Sequence, residues 1–295
     1  MRQAPIRPTA ASYGMLVSLI MIWGTTFYLV KLAVAEVHPF TVAASRVWLA
    51  AAFVVPFAVL TGRSLPRGGA QWLAAIAVGT FSLAVPLTLM TWAQQVVPSG
   101  IAGVYMAAIP LFVLPLAHIF SIGERMTLRK LIGFVIGFIG VLLLIGPETL
   151  AQLGSADGTA QLACLAAAMS YAVGSILIRN APKTDPIAMS AIALVIAAIL
   201  TAPLASIAWP QTLPSLPTLA IMLWVGAIST GLAMVLRVSV ISTAGSVFLS
   251  IAGYFVPITA LAVGAIFGGE VIEYSDAIAC ALILIGVAFA QFRAS

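Results

Sequence analysis

Charge is what this chain has least of. Of its 295 residues, eight are Asp or Glu and thirteen are Lys or Arg, 7% in all. A soluble globular domain carries about a quarter charged residues to keep its surface in water, so a water-facing fold is excluded. Cysteine is almost as scarce. Cys164 and Cys280 are too few for a disulfide framework and lack the spacing of a metal site, so they read as small packing residues. Several motifs are absent: His-Glu-x-x-His, a phosphate-loop lysine motif, and a Gly-x-Ser-x-Gly nucleophile turn. None of the eight acids falls in the middle of an apolar run. That removes the paired acids of intramembrane aspartyl chemistry, and the midplane carboxylate that proton- or sodium-coupled pumps commonly use. The sequence therefore points away from an enzyme and calls for neither cofactor nor metal.

Apolar residues fill the space. The chain is 62% hydrophobic with a mean hydropathy of +1.17. A membrane span takes roughly 20 apolar residues, and the sequence predicts ten: 13–34, 40–60, 71–92, 100–120, 130–146, 159–179, 186–206, 217–238, 244–267 and 276–291. The runs are continuous rather than alternating, which argues for helices over barrel strands. Turn residues occupy the gaps: Pro39, Gly62 to Gly69, Pro98-Ser99-Gly100, Gly146-Pro147, Gly154 to Gly158, Pro182, and Pro210 to Pro217. Arg2, Arg7 and Ala33-Val34-Ala35 imitate a signal peptide. The run from Tyr13 is too long for the apolar core of one, so it reads as a retained first span.

The basic residues fix an orientation. With the N-terminus inside, Arg2, Arg7, Arg63, Arg67, Arg125, Arg129, Lys130, Arg179, Lys183, Arg237 and Arg293 all fall on the cytoplasmic side. Lys31 lies outside and Arg46 within the second span. This is the positive-inside pattern, with both termini cytoplasmic in a multi-pass protein of the cell (inner) membrane. The net charge of +5 is thereby accounted for without nucleic acid; the expected partners are the lipid bilayer and a small-molecule substrate.

The chain also matches itself at an offset near 147. Gly123-Glu124 returns as Gly269-Glu270, Gly140-Val141 as Gly286-Val287, and Val78-Gly79 as Val225-Gly226. His38-Pro39 aligns with Asp185-Pro186, Lys31 with Arg179, and Trp23 with Tyr171. Each copy holds five spans, an odd number, so the second enters the membrane upside down. The expected organisation is a tail at 1–12, a first five-helix repeat at 13–146, a loop at 147–158, and an inverted repeat at 159–291. The fold class is an all-α membrane protein, two inverted five-helix repeats around a central cavity. Pro110 in the fourth span and Pro257 in the ninth fall within one residue of matching positions. Proline-interrupted helices at corresponding places mark a midplane site; Pro115 and Pro86 add further kinks.

These residues resemble the drug/metabolite transporter superfamily, in particular its EamA-type ten-helix members. Trp23-Gly24-Thr25-Thr26-Phe27 is similar to that family's Trp-Gly signature. Ser45-Arg46-Val47-Trp48-Leu49-Ala50 is similar to its Arg-aromatic-Leu-Ala stretch. Gly123-Glu124-Arg125-Met126-Thr127, followed by Gly133, Gly137 and Gly140, looks like its Gly-Glu-Arg-x-Thr segment and glycine-bearing helix. The second half departs, with Tyr171-Ala172 in place of Trp-Gly and Ala279 in place of a glycine. Within the superfamily the chain looks most like the aromatic and neutral amino acid exporters of the YddG type. The resemblance implies substrate export by alternating access through a cavity lined by spans 1, 3, 4, 6, 8 and 9, with 5 and 10 peripheral.

The candidate substrate-binding residues are polar or aromatic groups within those spans: Trp23, Thr26, Thr88, Trp92, Tyr105, Tyr171, Ser175, Ser229, Ser250 and Tyr254. Tyr and Trp offer an apolar face with one hydrogen-bonding tip, which suits an amphipathic metabolite. Ser and Thr in spans also bond back to their own helix, and Trp92 lies near enough to a span end to serve as an interfacial anchor. Arg46, His118, Pro110 and Pro257 are candidates for gating or structure. Arg46 is a costly charge inside a span, open to a substrate carboxylate or a structural partner; His118 reads as a packing histidine ahead of a proton relay. Gly133 and Gly137 form a Gly-xxx-Gly step that suits either a homodimer or packing within the monomer. The expected function is amino acid export, uncoupled or by exchange. The alternative is a multidrug or other metabolite carrier (purine, nucleotide-sugar-like), proton-coupled or not. A channel and a membrane scaffold are the remaining rivals.

Overall fold

The computed structural model describes residues 8–121, 125–147 and 154–291. Arg2, Arg7, Gly123, Glu124 and Arg293, used in the sequence analysis, lie outside the described residues. Among those described, ten helices are long and apolar enough to cross a membrane: α1 Ala10–Val34, α2 Pro39–Leu60, α3 Gly69–Ala93, α4 Ser99–Phe120, α5 Leu128–Ile145, α6 Ala156–Arg179, α7 Pro186–Ile207, α8 Leu216–Ala244, α9 Ser246–Gly268 and α10 Tyr274–Gln291. Their outward faces present apolar side chains such as Val17, Leu73, Ile139, Ile199 and Ile285 to the surroundings. Only lipid makes such a surface tolerable.

Side chains at the helix starts explain several boundaries. The aligned pairs His38-Pro39 and Asp185-Pro186 are the same device twice. His38 Nδ1 accepts from the Phe40 amide, and the Asp185 carboxylate accepts from Ile187 and Ala188. Each is followed by a proline at the first helical position, where no amide is needed. Gly245, at φ 88°, lets the chain reverse in one residue between α8 and α9.

Helix contacts come in pairs that exchange when α1–α5 are swapped for α6–α10. α1 packs on α9 and α4 on α6; α2 packs on α8 and α3 on α7; α3 packs on α6 and α1 on α8. α2–α7, α4–α9 and α5–α10 map onto themselves. The α5–α10 contact is a glycine seam. A Cβ added at Gly140 would lie 2.8 Å from the Ala279 carbonyl, and one at Gly133 would lie 2.5 Å from the Gly286 carbonyl. A Cβ at Gly137 would meet Leu111 of α4. The Gly-xxx-Gly step is therefore filled within the chain, and a homodimer draws no support from it.

Two regular helices contain a wider turn. Thr80–Ala84 of α3 and Trp224–Leu232 of α8 are π-helical, and they fall at matching positions of the two halves, beside Val78-Gly79 and Val225-Gly226. π-turns concentrate at functional sites. The sequence did not announce them. α4 is broken at Ala108, two residues before Pro110. α9 is broken at Ile251, six residues before Pro257.

Candidate functional site

A cavity of about 400 Å³ occupies the centre of the bundle. Its walls come from α1, α3, α4, α6, α8 and α9, with a single residue from α2. The irregular stretches line it: Ser82 and Leu83 from one π-turn, Ser229 and Thr230 from the other, Ile109 beside Pro110, and Pro257 itself.

The cavity is open at one end only. Near the face that carries Arg63, Arg125 and Lys183, its lining residues Ser175, Arg237 and Gly253 are exposed. Toward the opposite face Thr26, Val30 and Gln94 are buried, the last two at 1% exposure. A band of hydrogen bonds closes that second face. The Glu36 carboxylate accepts from the Ser215 amide, the Ser215 hydroxyl and the Thr218 hydroxyl, tying α1 to the start of α8. The Glu270 carboxylate accepts from the amides of Ser99 at 2.6 Å and Gly100 at 2.9 Å, at the start of α4. Tyr28 donates to the Phe267 carbonyl at 2.8 Å, and Gln94 to the Phe27 carbonyl at 2.7 Å. Lys31 reaches the Val97 carbonyl at 3.2 Å, in the turn between α3 and α4. Such bonds contribute about 1 kcal/mol each, net.

Of the candidate residues, the structure brings Trp23, Thr26, Tyr171, Ser175 and Ser229 together on the cavity wall, with Arg46 and Pro257. Thr88, Trp92, Tyr105, Ser250, Tyr254, Pro110 and His118 are not among its lining residues. Tyr105 is fully buried, its hydroxyl donating to Gln161 Oε1 at 2.6 Å. Tyr254 packs against a core shared by α3, α4, α5, α6 and α10 and bonds Gln291 at 3.0 Å. Trp92 packs into the same core. Ser250 donates to the Val247 carbonyl, one turn back. His118 is exposed at the end of α4, where Nδ1 accepts from the Met126 amide at 3.2 Å. Ser229 stands apart: it is 1% exposed, and its hydroxyl has no hydrogen-bond partner among the described residues.

Sequence reasoning missed Arg237. It places this residue at the end of the eighth span with the cytoplasmic charges, but α8 runs on to Ala244, seven residues further. Arg237 therefore stands about 10 Å inside the helix end and lines the cavity with Arg46. On α8 it follows Thr230 and Met234 along one face, at i+7 and i+3 from them. The missed signal is a weak one, the turn-free stretch Val238 to Ala244 that runs on to Gly245.

Arg46 is held from behind. Its Nε donates to the Thr230 hydroxyl at 2.8 Å, leaving its terminal nitrogens free of any protein hydrogen bond among the described residues. The only ion pair among the described residues is Arg63–Asp185, at 3.5 Å on the basic face. No Asp, Glu or His lines the cavity, and no cluster of described residues could hold a metal ion.

A family model described as the EamA-like transporter family matches residues 10–146 and 158–291. Among curated proteins none matches. A crystal structure of a protein is similar in fold, with a TM-score of 0.66 at 21% identity over 96% of this chain and 97% of that one.

Proposed function

Because the chain belongs to the EamA-like transporter family, a family of multi-pass membrane transporters of small solutes, we propose that the central cavity is its transport site and that it works by alternating access. The observation that carries this reading is the asymmetry of the cavity: open at the basic face, closed at the other by a thin band of polar contacts that joins the two halves. By the positive-inside rule the basic face is cytoplasmic, so this conformer faces inward, ready to load a solute for export from the cell. The two five-helix halves are inverted copies, each able to take the other's conformation, and the outward-facing state opens the band while closing the mouth around Ser175 and Arg237.

The solute is a small metabolite with an apolar body and a polar head. Trp23, Phe27, Leu83, Leu87 and Met106 supply the apolar wall, and Arg46, Tyr171 and Ser229 the polar groups. Carboxylate-bearing metabolites fit this division, and neutral and aromatic amino acids are the class that the resemblance to amino acid exporters favours. With no acid in the cavity to bind a proton or sodium ion, transport runs as facilitated diffusion or exchange. Counterflow in proteoliposomes tests the proposal, with labelled aromatic and neutral amino acids, their 2-oxo acids, purine bases and cationic drugs. Trans-stimulation by at least one of them is expected. Silence across the whole set removes the proposal.

A further inference from the structure

Two arginines face one cavity, and no acid among the described residues pairs with either of them. Arg46 comes from α2 in the first half and Arg237 from α8 in the second. Tyr171 of α6 lines the same cavity as both guanidinium groups. No Asp, Glu or His shares the cavity lining, and no ion pair involving either arginine occurs among the described residues.

Their geometry is that of a site rather than of a structural pair. A guanidinium has five N–H donors. Arg46 spends one on Thr230, which fixes its plane, and its two terminal nitrogens remain available. The bond depends on the π-turn: Thr230 donates to the Val225 carbonyl five residues back, at 3.0 Å, leaving oxygen lone pairs to accept from Arg46. Arg237 makes no hydrogen bond among the described residues, and its side chain is accessible from within the cavity. Arg46, partly buried and away from the open mouth, carries a charge that needs a counter-charge or water inside a membrane protein, and a second like charge facing the same space adds to that need. That arrangement persists where a ligand completes it.

We infer that Arg46 and Arg237, with Tyr171 on the same cavity wall, form an anion subsite, and that the solute carried is a net-negative organic acid with an apolar body. This rests on the cavity being the transport site, and it sets the net-negative acids among the carboxylate-bearing metabolites ahead of the amino acids that the resemblance favours. A zwitterionic amino acid brings an ammonium group for which the lining offers no carboxylate. The 2-oxo or hydroxy acid of the same skeleton brings only the group that the arginines complement, as does an organic phosphate.

The test is a charge series on one skeleton, read as binding to the purified full-length protein in detergent: phenylpyruvate, phenyl phosphate, phenylalanine and phenethylamine. One or both anions are expected to bind at least about tenfold more tightly than phenylalanine, with phenethylamine weakest. Which anion leads separates a carboxylate from a phosphate ligand. Arg46→Gln and Arg237→Gln should each weaken anion binding by about tenfold or more. The series on the unaltered protein needs no variant to fold. No anion binding, an amine or zwitterion that binds as tightly as the anions, or anion affinity unchanged in both variants would each overturn the inference. An anion that binds through both arginines but is not carried in proteoliposomes removes the transport proposal and leaves the subsite standing. Carriage of amines or zwitterions with no anion preference does the reverse.

Discussion

Thr230 binds Arg46 through a hydroxyl that points the wrong way for an α-helix. It donates to the carbonyl of Val225 at i−5 rather than i−4, and accepts the Arg46 Nε–H at 2.8 Å. The register of α8 thus sets the pose of a charge on α2. Thr230→Val keeps the shape and removes both bonds. A hydrogen bond to a charged group contributes about 1.5–3 kcal/mol, so the affinity for transported anions should fall by about tenfold or more, with the apparent KM rising and the maximal rate less affected. A counterflow titration that leaves KM unchanged would show that Arg46 holds its pose without help.

Ser229→Ala separates stability from function. The hydroxyl is buried and unpartnered among the described residues, so its removal costs the fold nothing and can stabilise it by up to about 1 kcal/mol. Substrate affinity should drop severalfold. Tyr105→Phe is the converse: the lost bond to Gln161 should cost about 1 kcal/mol of stability and leave affinity alone. Thermal unfolding and substrate binding, measured on both variants, should show this crossed pattern.

The band on the closed face predicts a third outcome. In Glu270→Gln the side chain can no longer offer a charged oxygen to each of the two α4 amides, Ser99 and Gly100. A loss of about 1–2 kcal/mol shifts a two-state balance by roughly five- to thirtyfold. A cysteine placed at Val30, now 1% exposed at the closed end, should react faster with a thiol reagent added from that side in the Glu270→Gln background. Equal rates would mean that the two amides do not hold the gate.

Acidity should loosen the same face through Glu36. Hydrogen bonds from Thr218 and then Ser215 hold its carboxyl below the ordinary value of 4.5. The ionised form is the one these bonds favour, so their contribution is complete above that value and fades as the pH falls through the lowered pKa. Labelling at Val30→Cys, taken relative to a fully exposed cysteine at the same pH to cancel the loss of thiolate, should therefore rise only below about pH 4.5, and Glu36→Gln should show the higher relative rate at neutral pH with little further change on acidification.

The α5–α10 seam predicts loss of stability. A Cβ at Gly286 would sit 2.5 Å from the Gly133 carbonyl oxygen, where only backbone could yield. Gly286→Val should destabilise the protein by about 3 kcal/mol or more, at or above the usual range for overpacking. A drop in thermal midpoint, with substrate affinity of the surviving folded fraction unchanged, is the expected pattern.

How far the sequence carries these conclusions differs from helix to helix. The ten spans are legible because each is a long apolar run, and the paired starts at His38-Pro39 and Asp185-Pro186 carry their caps in plain view. The cavity wall is legible only in part. Trp23, Tyr171 and Ser229 line it as the sequence suggests, while Trp92, Tyr105 and Tyr254 face other helices. A helix that is apolar all round gives no periodic hint of which face looks inward, and a residue's depth in the span says nothing about its rotation. The π-turns leave no trace in the sequence, since they arise from how α3 and α8 pack. Arg237 escapes detection for a different reason. A cation at an assumed helix end satisfies the positive-inside rule by itself, and Ser239, Ser242 and Thr243 dilute the hydropathy of the helix beyond it.

The glycine seam has a mechanical meaning. Where Gly133 and Gly137 meet Gly286, and Gly140 meets the Ala279 carbonyl, backbone lies directly on backbone. Such a joint has no slack. In the alternating-access cycle proposed above, α5 and α10 are expected to move as one unit, leaving the rocking to the other eight helices.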